Sequence, residues 1–331
     1  MRNAGRRMLL GAITLAIGSV ASTAVATPAG VAAQATPKTL TIPFAPPTDV
    51  DLHYRVRLDR PLGGTPNTWI RDQTLRFAHA GTGYILTITT TAVSEDGKMV
   101  PVTDQAGVMP ARRVMTTPTS FDLDGRGHVL RVRDWERIKM LMIMSTSAEI
   151  VRVEPDSGPC SDGRARYRLA SSTYDPMTAE LAVSTWLEHW DGFFGLAGTE
   201  MAEGANLEGD TVIQTSVAPV PIPAHASTTL RTERSDEFLH LVVVKTLDPG
   251  KAGPAIASSI QEKLRSISLK NEAARAWIIA MDNRLRGLDL RDETDARLDA
   301  TTGLLRSAIM TRSITDKDGT STSRTQIDRL D

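Results

Sequence analysis

Residues 51–59 alternate strictly between apolar and polar side chains, and this alternation constrains the fold more than any other feature of the chain. Leu52, Tyr54, Val56 and Leu58 stand between charged residues and a histidine. Because successive side chains of a strand point to opposite faces, one set faces a core and the other faces water. The pattern therefore predicts an antiparallel strand that is buried on one face only.

The segments that follow extend this strand into a meander. Pro61–Pro66 contains two glycines and predicts a turn. Thr68–Ala80 continues as a second strand, and Asp-Gly steps that begin at residues 96, 124 and 318 predict tight turns. A third strand presents one face formed by Tyr84, Leu86, Ile88, Thr90 and Ala92.

Three helices are predicted between the strands. The first spans Asp134–Val153 with Asp134 as its N-cap, and the second spans Asp175–Phe194, which begins with an aspartate and a first-turn proline. The third and longest spans Pro254–Leu285, with a capping box at Ser259 as an alternative start.

Further strands precede and follow the long helix. Phe238–Leu247 begins with a run that is apolar on both faces, which predicts a central strand covered on both sides. The other predicted strands are Asp210–Val217 and Ala226–Arg234 before the helix, and Ala296–Leu298, Leu304–Ile314 and Thr320–Leu330 after it.

Strands that cluster apart from helices indicate an α+β fold with antiparallel pairing. We expect a long, curved antiparallel β-meander sheet, in one version an open barrel, packed against about three helices. In this interpretation residues 51–331 form a single domain, and the alternative is two subdomains that divide near residues 200–206. The proline-rich residues 36–50 predict an extended, mobile lead-in.

The first 35 residues have the three parts of a secretory signal peptide. Three arginines precede an uncharged stretch from Met8 to Ala35, and small-residue cleavage sites end at Ala26 and Ala35. The pattern predicts an exported protein of the periplasm that is not an integral membrane protein once processed. Two alternatives remain, a twin-arginine signal that begins at Arg6 and an uncleaved membrane anchor.

Charge and cysteine content exclude several classes of partner. The chain has 38 basic and 39 acidic residues, and removal of the three signal arginines leaves 35 basic against 39 acidic. A mildly acidic protein lacks the electrostatic footprint for binding nucleic acid. The single cysteine, Cys160, cannot form an internal disulfide, so the fold depends on its core, and intermolecular pairing is the alternative role of this thiol.

Motifs for enzymatic chemistry are missing from the sequence. It contains no serine-hydrolase elbow, zinc-protease motif, phosphate-binding glycine loop or paired-cysteine metal site. We therefore predict no cofactor and no metal, and we favour binding over catalysis. A hydrolase whose site combines dispersed residues such as His189 and Asp191 stays open as an alternative.

Two segments are candidates for contact with a ligand. Alternate methionines on the first helix offer an adaptable apolar surface, and an aromatic-rich segment on the second suits the wall of an apolar pocket. The alternative for both is core packing, and copper(I) binding is a further alternative for the methionines. The predicted ligand-contact residues are Met140, Met142, Met144, Trp186, Trp190 and Phe194.

A turn near the C-terminus carries a family resemblance. Residues 299–304 read Asp-Ala-Thr-Thr-Gly-Leu, an Asp-x-x-Thr-Gly-Leu turn between predicted strands. With the export signal, the long meanders and the lack of a lipid-anchor cysteine, this turn resembles the lipoprotein-carrier class of periplasmic proteins, the LolA-like open β-barrels. The resemblance implies a curved antiparallel sheet that closes on helices around an apolar cavity. No binding residue is carried over from it.

These features favour two hypotheses for function. The first is a periplasmic binding module for an apolar or lipid-like ligand held between sheet and helices. The second is a structural or assembly protein of the cell envelope, which contacts another envelope protein through its sheet edges or its proline-rich lead-in.

Overall fold

The computed structural model describes residues 38–331, apart from gaps within that range. The gaps are 63–64, 96, 103–115, 154–162, 164–166, 168–169, 172–173, 216–217, 234–235, 249, 259–287 and 317–318. The predicted signal peptide (1–35), Cys160 and residues 259–285 of the predicted third helix lie outside the described residues.

Strands dominate the described part of the chain. The strands are β1 (Thr39–Thr41), β2 (Asp51–Leu62), β3 (Thr65–Ala80), β4 (Gly83–Glu95), β5 (Lys98–Pro101), β6 (Thr119–Leu123), β7 (Val129–Val132), β8 (Glu200–Ala202), β9 (Asn206–Thr215), β10 (Ala218–Glu233), β11 (Phe238–Leu247), β12 (Asp289–Asp299), β13 (Leu305–Asp316) and β14 (Gly319–Arg329). The helices are α1 (Trp135–Val153), α2 (Val183–Leu187) and α3 (Asp191–Phe194), with a 3-10 turn at Glu188–Trp190. Further helical residues are 116, 163, 167, 170–171, 174 and 252–258.

Twelve of these strands form one antiparallel sheet. Their order is β7-β6-β4-β3-β2-β14-β13-β12-β11-β10-β9, and β5 pairs with β4 outside this path. The N-terminal and C-terminal meanders join where β14 pairs with β2, with Val56 opposite Ile327. Because β7 and β9 end the path, the sheet is not closed, and β1 and β8 form a separate two-stranded sheet. The predicted α+β fold with a long antiparallel meander is confirmed.

One face of the large sheet carries the core, and we call it the inner face. On β2, Leu52, Tyr54 and Val56 are buried, as their alternation predicts. Trp135 of α1 and Leu187 of α2 belong to the same apolar cluster. The helices therefore cover part of the inner face.

The opposite, outer face carries charged side chains in ion pairs. Arg55 of β2 pairs with Asp72 of β3 at 2.8 Å, and Arg297 of β12 pairs with Glu233 of β10 at 2.9 Å. Such exposed pairs contribute little to stability, about 0–1 kcal/mol each. Their effect is to match positive and negative charge on the solvent side of the sheet.

Two strands depart from the predicted pattern of burial. β11 is an interior strand, as expected, but only one face is buried, because Leu239 lies in the core while Val242 on the outer face is half-exposed. In β4 the register with β3 shifts at Gln73, so that Val93 lies opposite Arg71. Ala92 consequently leaves the face predicted for it, because an extra residue in β4 at this point reverses the alternation of its side chains between the two faces.

The two predicted turns at residues 61–66 and 124–125 have different outcomes. The turn predicted for residues 61–66 is shorter than expected, because Pro61 and Pro66 lie opposite each other in paired strands. Both prolines stand at the strand ends, where a missing N–H is tolerated. The turn after β6 is confirmed, since Asp124 Oδ1 accepts hydrogen bonds from the backbone N–H groups of Arg126 and His128 at 2.8 and 2.9 Å.

The helices confirm one prediction and correct two. α1 has the predicted bounds to within one residue. The second helix begins at Val183 and not at Asp175, because the Thr178 hydroxyl accepts the Leu181 N–H at 3.3 Å in a local turn. The third helix is already formed at residues 252–258, so its start lies before both Pro254 and Ser259.

Residues 38–50 cross one end of the sheet, and we call them the strap. They are extended, as predicted, but packed, since Leu40 and Ile42 are buried and Ile42 N–H bonds to Thr199 O at 3.0 Å. Phe44 contacts Gly127 in the β6–β7 turn. The segment is thus part of the fold and not a free lead-in.

The strap also shows that the sheet curves. The next residue after Phe44, Ala45, donates its N–H to Thr302 O in the β12–β13 turn at 3.0 Å. The two turns joined in this way are six strand spacings apart in the sheet order, or about 29 Å along a flat sheet. A phenyl side chain and one residue step of about 3.8 Å cannot span that distance, so the sheet bends around the strap.

Candidate functional site

Antiparallel register arranges the inner-face side chains in rows that cross the strands. One row runs through the centre of the core, and we call it the covered row. From β2 to β10 its members are apolar and at most 3% exposed: Val56, Ile327, Ala308, Ala296, Leu241 and Leu230. On β3 the row continues to Arg71, which lies opposite Val56.

The next row on the same face is only partly covered, and we call it the open row. Its apolar members Leu58, Met310 and Val243 are half-buried, and Trp69 and Leu207 are each 53% exposed. Threonines separate several of them. The row reads, from β3 to β9, Trp69, Leu58, Thr325, Met310, Thr294, Val243, Thr228 and Leu207.

A charged row follows, two residues farther along each strand. Arg312 of β13 lies opposite Asp292 of β12, and their bidentate ion pair has N–O distances of 2.7 and 2.6 Å. The hydrogen bonds that Arg312 donates to Asp292 raise the pKa of its guanidinium. Lys245 of β11 lies opposite Asp292 on its other side, and it has no ion-pair partner among the described residues.

Beyond the charged row the inner face becomes apolar again. Ile213, Ala224 and Leu290 are buried in a second cluster, to which Leu247 and Ile314 pack. The open and charged rows therefore lie between two buried apolar regions of one sheet face.

Polar groups join the helical segment to the edge of the core nearest the open row. Trp190 Nε1 donates to Gln73 Oε1 at 3.2 Å, and the Trp190 ring meets Tyr54 edge-on at a centroid distance of 5.0 Å. Arg71 Nη2 lies 3.3 Å from Nδ1 of the buried His189. An arginine can only donate, so this imidazole nitrogen accepts.

The predicted ligand-contact residues fall into three environments. Trp190 and Phe194 are buried in the core, and Phe194 meets the rings of Phe44 and Phe77 edge-on. Trp186 and Met142 are half-buried against that core. Met140 and Met144, which are 47% and 55% exposed, lie away from it. Contact of any of the six with a ligand stays a prediction.

The open row was missed by sequence reasoning. Leu58 and Val243 lie in segments that read correctly as strands, but their neighbours across the sheet come from distant parts of the chain. The only local signal is an apolar side chain two residues before a charged one, as in Val243 and Lys245 or Met310 and Arg312.

A cleft of about 940 Å³ opens to solvent between β7 and the start of α1. Charged side chains dominate its lining, and they are paired with one another, for example Arg131 with Asp122 at 2.7 Å and Lys139 with Glu136 at 2.9 Å. This cleft does not suit an apolar ligand.

Within the described ranges, no three metal-ligating side chains cluster, and no helix is both long and apolar enough to cross a bilayer.

Comparison with known proteins adds no family. No family description and no curated sequence matches the chain. Among solved structures, lipovitellin, described for its lipid–protein interactions, aligns over 85% of this chain with 9% identity and a TM-score of 0.37. This chain spans 25%, about a quarter, of the lipovitellin chain.

A domain described as an outer membrane lipoprotein-sorting protein, from Vibrio parahaemolyticus, is a second structural match. It aligns over 85% of this chain and 83% of its own, with 7% identity and a TM-score of 0.17. At such low scores neither similarity identifies a fold or a function.

Proposed function

We propose that the protein is a binding module that holds an apolar or lipid-like ligand against the inner face of its sheet. The observation that carries the proposal is the open row. Its apolar side chains remain partly exposed although they lie directly beside the buried core. A row of partly exposed apolar side chains that adjoins the core differs from the scattered single apolar residues that folded proteins commonly expose, and it supports a binding surface.

The energetics favour an apolar occupant of this row. Full burial of one valine, leucine or methionine side chain contributes about 1.5–3 kcal/mol, so a ligand that covers Leu58, Met310 and Val243 gains part of this at each position. Each threonine hydroxyl between them can accept and donate hydrogen bonds, so the row also suits a ligand with some polar groups. A long, narrow ligand fits a row that crosses the strands better than a compact one does.

We further propose that the protein works in the periplasm as a single domain. The signal-like sequence at residues 1–35 supports export. Strands from both sides of residues 200–206 belong to the same sheet, which supports one domain over residues 51–331.

A second function, assembly with another cell-envelope protein, is favoured by a different observation. Among the described strands, β9 pairs with β10 alone and so ends the sheet with a ten-residue edge strand, on which Leu207 and Val212 are exposed. An exposed edge can accept a partner strand. Crosslinking in cells separates the two functions, because an assembly protein gives one dominant protein adduct that includes β9.

Titration with the apolar fluorophore N-phenyl-1-naphthylamine tests the binding function. Val243 and Val242 are adjacent in β11, both half-buried, but only Val243 faces the open row. We expect Val243→Asp to weaken binding at least about tenfold, because a carboxylate opposes burial of an apolar ligand, and Val242→Asp to leave it unchanged. Circular dichroism verifies that both variants are folded. No binding by the native protein, or equal loss in the two variants, contradicts the proposal.

A further inference from the structure

We propose that the ligand is an anionic amphiphile, whose headgroup is held at the charged row by Lys245 and Arg312 while its apolar chain lies along the open row. This inference rests on the proposed function. It specifies that the ligand is negatively charged and that its headgroup lies at the charged row of the sheet.

The charged row has more positive than negative groups. Asp292 lies between Lys245 on β11 and Arg312 on β13, and both of its oxygens are bonded to Arg312. Arg60 lies on the same face of β2 by alternation and is exposed. The row therefore contains three cations and one carboxylate, and Lys245 is left without an ion-pair partner among the described residues.

The outer face shows that this excess is local. There, several arginines are matched with carboxylates across the strands, as in Arg55 with Asp72 and Arg297 with Glu233. The whole chain is close to neutral, with a formal net charge of −1. An excess of cations on one half-buried surface is complementary to an anionic ligand.

The positions of the two rows determine where the parts of such a ligand lie. Val243 and Lys245 are two residues apart on β11, as are Met310 and Arg312 on β13, so each pair projects from the same face about 6.6 Å apart. A headgroup beside Lys245 leaves its chain next to Val243 and Met310. Lysine suits this boundary because its stem contacts apolar surface while its ammonium bonds to the anion.

Three ligands with the same twelve-carbon chain test the charge requirement: dodecanoate, dodecyl phosphate and the uncharged dodecanol. Each is measured by displacement of the fluorophore from the native protein and from Lys245→Met, which keeps an apolar stem but removes the charge. Arg231→Met is the matched control, because Arg231 is an exposed cation on the outer face of the neighbouring strand β10.

We expect at least one of the two anions to bind the native protein about tenfold or more tighter than dodecanol, as a charge-assisted hydrogen bond predicts. Lys245→Met should remove most of this preference without changing dodecanol binding, and Arg231→Met should leave all affinities unchanged. A preference for dodecanoate indicates a fatty acid, and a preference for dodecyl phosphate indicates a phospholipid.

Two groups of results overturn the inference, and they can be distinguished from each other. Equal affinity for dodecanol and both anions, or an anion preference that persists in Lys245→Met, contradicts the anionic headgroup site but leaves the apolar binding function intact. Failure of all three ligands to displace the fluorophore, or failure of the fluorophore to bind, contradicts the binding function itself.

Discussion

The indole N–H of Trp190 donates a hydrogen bond to Oε1 of Gln73 at 3.2 Å, with both side chains buried. Trp190 ends the 3-10 turn between α2 and α3, and Gln73 lies on the inner face of β3. The bond therefore fixes the helical segment to the sheet beside the covered row, two rows from the open row. A shift of this segment would change how much of the inner face is covered.

Replacement of Gln73 by methionine should destabilise the fold. The indole N–H would stay buried without its partner, which costs about 1–3 kcal/mol in the free energy of unfolding. Urea denaturation followed by circular dichroism measures the loss. Gln326→Met is the control, since Gln326 lies on the outer face of β14 and bonds only to the neighbouring Asp328. Its expected cost is below about 0.5 kcal/mol, and an equal loss in both variants would show that the buried bond is unimportant.

The β12–β13 turn requires glycine at position 303 for two reasons. Gly303 has a φ of +71°, and a Cβ there would collide with the Pro43 carbonyl of the strap. Gly303→Ala should therefore lower the free energy of unfolding by more than the roughly 1 kcal/mol of backbone strain alone.

Gly198→Ala separates the two costs, because Gly198 has a φ of +79° and open space around its Cβ position. Urea denaturation of the two alanine variants gives the comparison. Equal losses would mean that the strap yields at no cost and does not restrain the curved sheet.

Stability should fall at high pH because of Tyr54. Burial raises the pKa of this phenol above its ordinary range, and its hydroxyl donates to Leu305 O at 2.9 Å. The folded state then holds the proton more tightly than the unfolded state. The contribution is complete below the ordinary pKa of about 10 and is lost as the pH rises above it.

Tyr54→Phe tests this pH dependence. At neutral pH the variant should lose about 1 kcal/mol with the hydrogen bond. Between about pH 10 and 12 its free energy of unfolding should decline less steeply than that of the native protein. Identical slopes in the two proteins would contradict the account of Tyr54.

The sequence predicts those parts of the fold that depend on local periodicity. The alternation of Leu52, Tyr54 and Val56 marks β2. The strand predicted at Phe238–Leu247, which begins with an apolar run, has the same bounds as β11. Pairing of β14 with β2 has no local signal, because it joins the two ends of the described chain. Curvature of the sheet likewise appears only when the strap is in place.

The candidate site was harder to predict for the same reason. Leu241 and Val243 have equivalent positions in the pattern of β11, yet one lies in the covered row and the other in the open row. The difference depends on where the helices pack, and periodicity does not contain that information. Trp190, Met140 and Met144 stood out by residue type, but one is buried and the other two face solvent.

Photolabelling with a diazirine-bearing fatty acid tests the central claim, that the inner face of the sheet binds the ligand, most directly. After irradiation and digestion, mass spectrometry locates the adducts to single residues. We predict adducts at Met310 and Val243 of the open row, which compete with unlabelled dodecanoate. Adducts at Met140 and Met144 of α1 or at Val242 of the outer face, or no competed adduct at all, would contradict the claim.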